Sequence, residues 1–190
     1  MKKSNYCFKC SICELTTSPS SRALNCPDCN APFDVNYISL EESKVEHNSI
    51  EIPLPINSDS LISLGEGNTP TIKLHNLSDK LEIELSTKLE YFNPTGSFKD
   101  RGSSIMISCL KQSGIKEISE DSSGNAGASI SAYASKAQIK SHIFAPSSAP
   151  SAKINQIKVY GANTYLIGGS RDQATIEAKK FSENHGVTYA

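Results

Sequence analysis

Residues 91–102 read YFNPTGSFKDRG, and the way this stretch folds decides how the rest of the chain is arranged. Asn93-Pro94 and Gly96 carry turn chemistry: proline presets φ, and glycine supplies the positive φ of a tight turn. Ser97 followed three residues later by Asp100 has the form of a capping box, which predicts a helix from Phe98 onward. Lys99 then falls in the first helical turn, where exposed amides and the helix dipole disfavour an ammonium by up to about 1 kcal/mol. That penalty is useful where the amine has to be neutral. An ordinary lysine, with a pKa near roughly 10.4, is almost wholly protonated at neutral pH, and a cationic, buried setting raises the fraction able to attack a carbonyl. The plain alternative is a surface lysine beside a cap, accompanied by Asp100 and Arg101.

On the carboxyl side, Ile105, Met106, Cys109 and Leu110 share one helical face, and Cys109 reads as core. On the amino side, LEIELSTKLEYF (81–92) alternates in the manner of a strand. IKEIS (115–119) reads as a short buried strand, EDSSG (120–124) as a loop, and NAGASISAYASKAQ (125–138) as a helix with Ala126, Ile130, Tyr133 and Ala137 on one stripe. SHIFA (141–145) is another strand, followed by a helix about Ile154 and Ile157 and the strand NTYLIG (163–168). A helix aligning Ala174, Ala178 and Phe181 comes next, and GVTYA (186–190) begins one more strand. This rhythm predicts an α/β fold whose parallel sheet has right-handed crossovers and covering helices.

Ligands of such sheets sit at the carboxyl ends of the strands, where EDSSGN and LIGGS fall. In DSSGNAGAS (121–129), Ser122, Ser123 and Gly124 precede a helix N-terminus, whose amides make a seat for a carboxylate or phosphate, and Asn125 adds a neutral donor. The bland reading is a strand-to-helix loop with good caps.

CFKCSICELTTSPSSRALNCPDC (7–29) holds Cys7, Cys10, Cys13, Cys26 and Cys29. Zinc takes four thiolates in a tetrahedron, and each C-x-x-C turn offers two. Cys26 and Cys29 form one such pair. The other stays open, because Cys10 can pair back with Cys7 or forward with Cys13. The residue after such a turn often needs left-handed backbone, which Asn30 tolerates well and Ser11 and Glu14 tolerate less. A segment of about 35 residues buries too little to fold alone, so a metal would supply much of its stability. A metal staple without chemistry competes here with a regulatory zinc and with a nucleic-acid-binding ribbon. The last is set aside, since Lys2, Lys3, Lys9 and Arg22 are offset by Glu14, Asp28 and Asp34 with no basic stripe among aromatics. Residues 36–64 mix charges with Pro53 and Pro55 in no clear period and read as a linker or arm, with His47 solvated.

Lysine and arginine number 19 against 20 acids, so no global field recruits nucleic acid or an anionic membrane. No apolar run approaches the roughly 18 residues that span a bilayer, and Met1–Lys3 lead into polar sequence without a signal-type core. Cysteines paired for metal fit a reducing compartment. A soluble, cytoplasmic protein binding neither nucleic acid nor membrane is the expectation.

Taken together, NPTGSFKDRG (93–102) and SSGNAG (122–127) resemble the signature segments of the tryptophan-synthase-β-like, fold-type II pyridoxal-phosphate enzymes. The resemblance implies that Lys99 carries the cofactor, that Asn125 bonds its ring hydroxyl, and that Ser122, Ser123, Gly124, Ala126 and Gly127 hold the carboxylate of an amino-acid substrate. GEGNTP (65–70), the cysteine-bearing segment and APSSAPSAKINQIKVYGA (145–162) look most like threonine synthases within that superfamily. Their zinc-ribbon spacing implies Cys10, Cys13, Cys26 and Cys29 as a structural zinc set, with Cys7 spare. The implied organisation is a zinc ribbon over 1–35, a linker or arm over 36–64, and an incomplete pyridoxal-phosphate domain over 65–190 with a smaller subdomain from about 114. The full-length form is expected to be a homodimer.

The implied chemistry is lyase chemistry on an amino acid: O-phosphohomoserine and water give threonine and phosphate, with Lys99 shuttling protons. Two departures stand out. Ala126 replaces the threonine that many threonine synthases place after the loop asparagine, and the later glycine-rich phosphate cradle lies outside these residues, so this chain by itself is expected to be inactive. The alternatives are a serine or threonine dehydratase, a cysteate synthase, or a non-catalytic truncated paralogue.

Overall fold

The computed structural model describes residues 6–18, 25–38, 44–47, 50–56 and 58–190, of which 44–47, 50–52 and 58 are described by backbone alone. Lys2, Lys3 and Arg22 lie outside these residues, as does the side chain of His47. In chain order the elements are β1 (Tyr6–Cys10), β2 (Thr16–Thr17), β3 (Phe33–Tyr37), β4 (Lys44–His47), β5 (Ile50–Pro53), β6 (Thr71–Lys73), α1 (His75–Leu81) and β7 (Ser86–Lys88). They continue as α2 (Lys99–Gln112), β8 (Glu117–Glu120), α3 (Asn125–Ala137), β9 (Lys140–Pro146), α4 (Ser151–Val159), β10 (Asn163–Ile167), α5 (Arg171–His185) and β11 (Thr188–Tyr189).

Strands β8 to β11 form one parallel sheet in the order β10-β9-β8-β11. Side chains alternate across it, as a strand's period of two requires. Ile118, Ile143 and Ala145 enter a core shared with Ala128, Tyr133 and Ala134 of α3. The opposite face meets α5: Ser119 Oγ donates to Ala178 O at 3.3 Å, and the rings of Phe144 and Phe181 lie 5.4 Å apart. The α/β fold read from the sequence is therefore the one observed. From β8 the chain steps outward to β9 and β10, and α5 then returns it to β11 on the far side of β8. That reversal puts the switch point of the sheet at the carboxyl end of β8, where loop 121–124 emerges.

Helix α2 packs on α3 through small residues. Its most buried positions are Ser103, Ser104, Ile107 and Ser108, not the stripe of Ile105, Met106, Cys109 and Leu110. Small side chains let the helix backbones approach, and the hydroxyls are satisfied locally: Ser108 Oγ donates to Ser104 O at 2.7 Å, and Ser131 Oγ to Gly127 O at 2.6 Å. The half-buried stripe has other work. Ile105 and Cys109 cover Leu54 and Ile56, which come from the stretch expected to be an arm. That stretch is docked: Ser104 Oγ donates to Ile62 O, and Ile62 N donates to Ser108 Oγ, both at 2.8 Å.

LEIELSTKLEYF is not one strand. Leu81 ends α1, Glu82 takes a left-handed φ of 53°, and only Ser86–Lys88 pairs, antiparallel with β6. A 3-10 turn follows over Glu90–Phe92. Alternation there has only a three-residue neighbour to pair with, so chain direction is set by the turns instead. No helix among the described residues is long and apolar enough to cross a membrane.

Candidate active site and cysteine cluster

The lysine segment is held from beneath. Gly96 has the positive φ, 83°, that its turn demands. Helix α2 starts at Lys99, and the capping box read from Ser97 and Asp100 does not form: Phe98 is the N-cap and no side chain caps it. Asp100 instead turns inward and is wholly buried. Its Oδ2 accepts from Thr95 N at 2.7 Å, while Oδ1 accepts from Thr95 Oγ1 at 2.5 Å and from Ser129 Oγ of α3 at 2.6 Å. A tertiary partner has overridden the local pattern. With Asp100 inward, Lys99 projects outward; it is exposed, against the expectation of a buried amine, and its Nζ lies 5.0 Å from the centre of the Phe98 ring.

The GEGNTP loop is tied to the same frame. Glu66, 1% exposed, accepts at Oε2 from Tyr133 Oη (2.7 Å), Leu64 N (2.9 Å) and Ser63 Oγ (3.0 Å). Burial works against its charge, but hydrogen bonds from Ser104, Tyr133 and backbone outweigh it and hold the carboxyl below its ordinary range. Asn93 Oδ1 accepts from Gly67 N at 2.9 Å. Arg101 grips Glu90 through Nε and Nη2, each at 2.8 Å, and with Thr69 Oγ1 it holds that carboxyl down to about 2. Neither Asp100 nor Arg101 is simply solvated company for the lysine.

Loop 121–124 leads from β8 into α3. Asp121 braces it: its carboxylate accepts from Thr175 of α5 and, at 2.7 Å, from Tyr189 Oη of β11. Ser122, Ser123 and Gly124 are half-buried, Asn125 is exposed at the head of α3, Ala126 is half-buried and Gly127 is buried. The opening amides of α3 have no intrahelical acceptor and face an anion's natural seat. Gly127 is needed for this closeness, since a Cβ there would stand 2.1 Å from Ser122 O. Gly127→Ala must displace that carbonyl, and a loss of about 3 kcal/mol in urea unfolding is expected; an unchanged midpoint would contradict it.

Glu120, the last residue of β8, lies within electrostatic reach of Lys99, Arg171 and Asp121. Burial, reinforced by Asp121, pushes its carboxyl up to about 7 against the pull of Arg171 and Lys99. The folded state thus binds this proton more tightly than the unfolded chain. Stability from it is complete below about 4.5 and is lost as pH rises through about 7, a loss on the order of 3 kcal/mol. Glu120→Gln should raise the melting temperature at pH 8 and leave it nearly unchanged at pH 4; equal shifts at both would contradict the assignment.

At the other end of the chain, the Sγ atoms of Cys10, Cys13, Cys26 and Cys29 all lie within 4.8 Å of one another. A zinc tetrahedron with bonds of about 2.3 Å spaces its sulfurs about 3.8 Å apart, so this donor set fits such an ion. The two turns match: Cys10 N donates to Leu15 O and Cys26 N to Ala31 O, both at 2.8 Å. Glu14 (φ 62°) and Asn30 (φ 59°) both take the left-handed position, so Glu14 accepts a conformation it was expected to tolerate less. Cys7 stands apart on β1, its Sγ accepting from Asn36 Nδ2 at 3.7 Å.

Of the residues expected to form an active site, the Lys99 segment is joined to α3, the helix that opens at Asn125, through Asp100 and Ser129, and Lys99 lies within electrostatic reach of Glu120, which precedes the 122–127 loop. Asp121 and Glu66 brace the site from outside the positions that the motifs single out, and Asp100 holds a tertiary contact where a cap is expected. A polar residue with no surface to face was the available signal, and burial is not visible in a sequence.

A family model described as "Pyridoxal-phosphate dependent enzyme" matches residues 62–190. Curated relatives include the threonine synthase of Halalkalibacterium halodurans, 36% identical over 137 residues, which are 71% of this chain and 39% of that protein. The threonine synthase of Methanosarcina acetivorans is 31% identical over 180 residues, 89% of this chain and 44% of that protein, a span that takes in Cys26 and Cys29. Among solved structures, maize serine racemase superposes with a TM-score of 0.60 at 27% identity, covering 65% of this chain and 38% of its own. The processed form of threonine deaminase isoform 2 from Solanum lycopersicum gives 0.59 at 28% identity, covering 64% and 34%. The chain therefore spans about two fifths of the length of the curated relatives it matches.

Proposed function

Because this chain belongs to the pyridoxal-phosphate dependent enzymes, we propose that it forms the lysine-bearing part of a threonine synthase-type lyase. That enzyme would convert O-phosphohomoserine and water to threonine and phosphate in a reducing, cytoplasmic setting. The observation that carries the reading is the joining of the Lys99 segment to the helix that begins with Asn125. The residues present fit the ring end of the coenzyme and the substrate carboxylate; none is assigned to the phosphate.

Pyridoxal phosphate, when bound, supplies an electron sink beside the amino group of the substrate. Lys99 would hold it covalently and later carry protons between substrate carbons. Asn125 would donate to its ring hydroxyl. The opening amides of α3, with the hydroxyls of Ser122 and Ser123 and the backbone of Gly124, would bind the substrate carboxylate, and Gly127, where a Cβ would collide with Ser122 O, lets the loop lie close on the helix. Ala126 offers no hydroxyl there. Cys10, Cys13, Cys26 and Cys29 would hold a structural zinc that takes no part in these steps.

A second reading is favoured by Ala126 and by the likeness to threonine deaminase: dehydration of serine or threonine. The protein at its full natural length, loaded with coenzyme, separates the two. O-phosphohomoserine yielding threonine and phosphate supports the first; ammonia and a 2-oxo acid from serine or threonine support the second. No product from any of these amino acids would discard both.

A further inference from the structure

One buried charge has no part in that chemistry. Asp100 is wholly buried and, among the described residues, accepts from neutral donors alone, the Thr95 amide and hydroxyl and the Ser129 hydroxyl. Burying a carboxylate in such company costs more than burying a neutral side chain, and holding a helix start does not require it. What two carboxylate oxygens can do is join two elements. One oxygen faces the Thr95 amide in the turn before Lys99, and the other bridges Thr95 and α3.

The place of the bridge on α3 gives it meaning. Asn125, Ser129 and Tyr133 are spaced four apart and stand one above another along a single row of the helix. Ser129 takes Asp100, Tyr133 takes Glu66, and Asn125 heads the row. The contact that fixes the base of Lys99 is thus one helical turn from the residue assigned to the coenzyme ring.

We propose that Asp100 is the positioning residue for Lys99, its carboxylate bolting the turn before Lys99 to Ser129 of α3 and so setting where the lysine amine stands against the 122–127 loop. Asp100 acts through Lys99 and does not touch substrate. This role rests on the coenzyme reading given above. It predicts that loosening the bolt leaves a protein that still folds and still captures coenzyme, but holds it without a fixed orientation.

The test loads the full chain with pyridoxal phosphate and measures two things. One is the visible circular dichroism per bound coenzyme, which reports a chromophore held in a fixed asymmetric setting. The other is the rate of borohydride-trapped labelling at Lys99, read by peptide mapping. Ser129→Ala removes one hydroxyl from the bridge and is the main variant; Asp100→Asn removes the charge and one acceptor, and its folding is followed by melting temperature. Ser131→Ala is the control, a buried serine of the same helix whose hydroxyl donates within that helix, to Gly127 O at 2.6 Å.

In Ser129→Ala the labelling rate at Lys99 should fall by about tenfold and the ellipticity per bound coenzyme by about threefold, as displaced reacting groups require. Ser131→Ala should change neither, although it also loses a buried hydrogen bond. Labelling of the unaltered chain at Lys99, with Ser129→Ala behaving as Ser131→Ala does, would overturn this role alone. An unaltered chain unlabelled at Lys99 would overturn the coenzyme reading and this role with it.

Discussion

Lys99→Ala is expected to abolish covalent capture of pyridoxal phosphate and to lower turnover of the complete enzyme by at least about a thousandfold, while barely changing stability. The two halves of this expectation have separate causes. Lys99 is exposed and, among the described residues, no hydrogen bond holds its Nζ; its contact is with the face of the Phe98 ring. Removing it forfeits a weak cation–π contact and relieves a positive charge at a helix N-terminus, two terms of opposite sign and each below about 1 kcal/mol. The frame beneath survives, because Asp100, Thr95 and Ser129 do not depend on the lysine side chain. What goes is the only amine of the NPTGSFKDRG segment, one within electrostatic reach of Glu120. Coenzyme incubation, borohydride reduction and peptide mapping measure the loss directly. A variant that still yields a reduced adduct at comparable rate, on whatever lysine, would remove Lys99 from the chemistry.

The alternating strands and helices from residue 115 onward could be read because the apolar period switches cleanly between two and 3.6 in each short segment. The helix that opens at Asn125 is legible for the same reason, since Ala126, Ile130, Tyr133 and Ala137 recur at helical spacing. Asp100 was misread for a physical reason. A capping box is a pattern over four residues, and the partner that displaced it, Ser129, lies 29 residues away. The docking of Ile62 was equally hidden, since its partners Ser104 and Ser108 are 42 and 46 residues distant from it. The outward setting of Lys99 follows from the inward setting of its neighbour, so one missed contact produced both errors. At the amino end, spacing alone left Cys7 and Cys13 as rivals, and the position of Cys7 on β1, facing Asn36, separates them.

That separation gives the second large effect. Cys26→Ser, or treatment with a strong chelator, should unfold the segment from β1 to β3 and release a metal bound at about one per chain, whereas Cys7→Ser should do neither. Three strands, one of them only two residues long, close around little apolar material: among the described residues of 6–37, Tyr6, Cys10 and Cys26 are the buried apolar side chains. Such a sheet cannot offset the entropy of ordering its own chain. The sulfurs supply what the core lacks. Cys10 and Cys29 stand 3.4 Å apart and Cys13 and Cys26 3.5 Å, and the amides of Ile12 and Cys13 both donate to Cys10 Sγ at 3.4 Å, favouring the thiolate that a metal needs. Structural zinc in small domains contributes an apparent 10–16 kcal/mol, about the whole of such a segment's stability. The parallel sheet has its own core in Ile107, Ile118, Tyr133 and Ile143, so its unfolding transition should persist when the metal is gone. Circular dichroism with metal analysis reads both segments at once. Retention of metal by Cys26→Ser, or its release by Cys7→Ser, would show that the ligand set is not the one the geometry assembles.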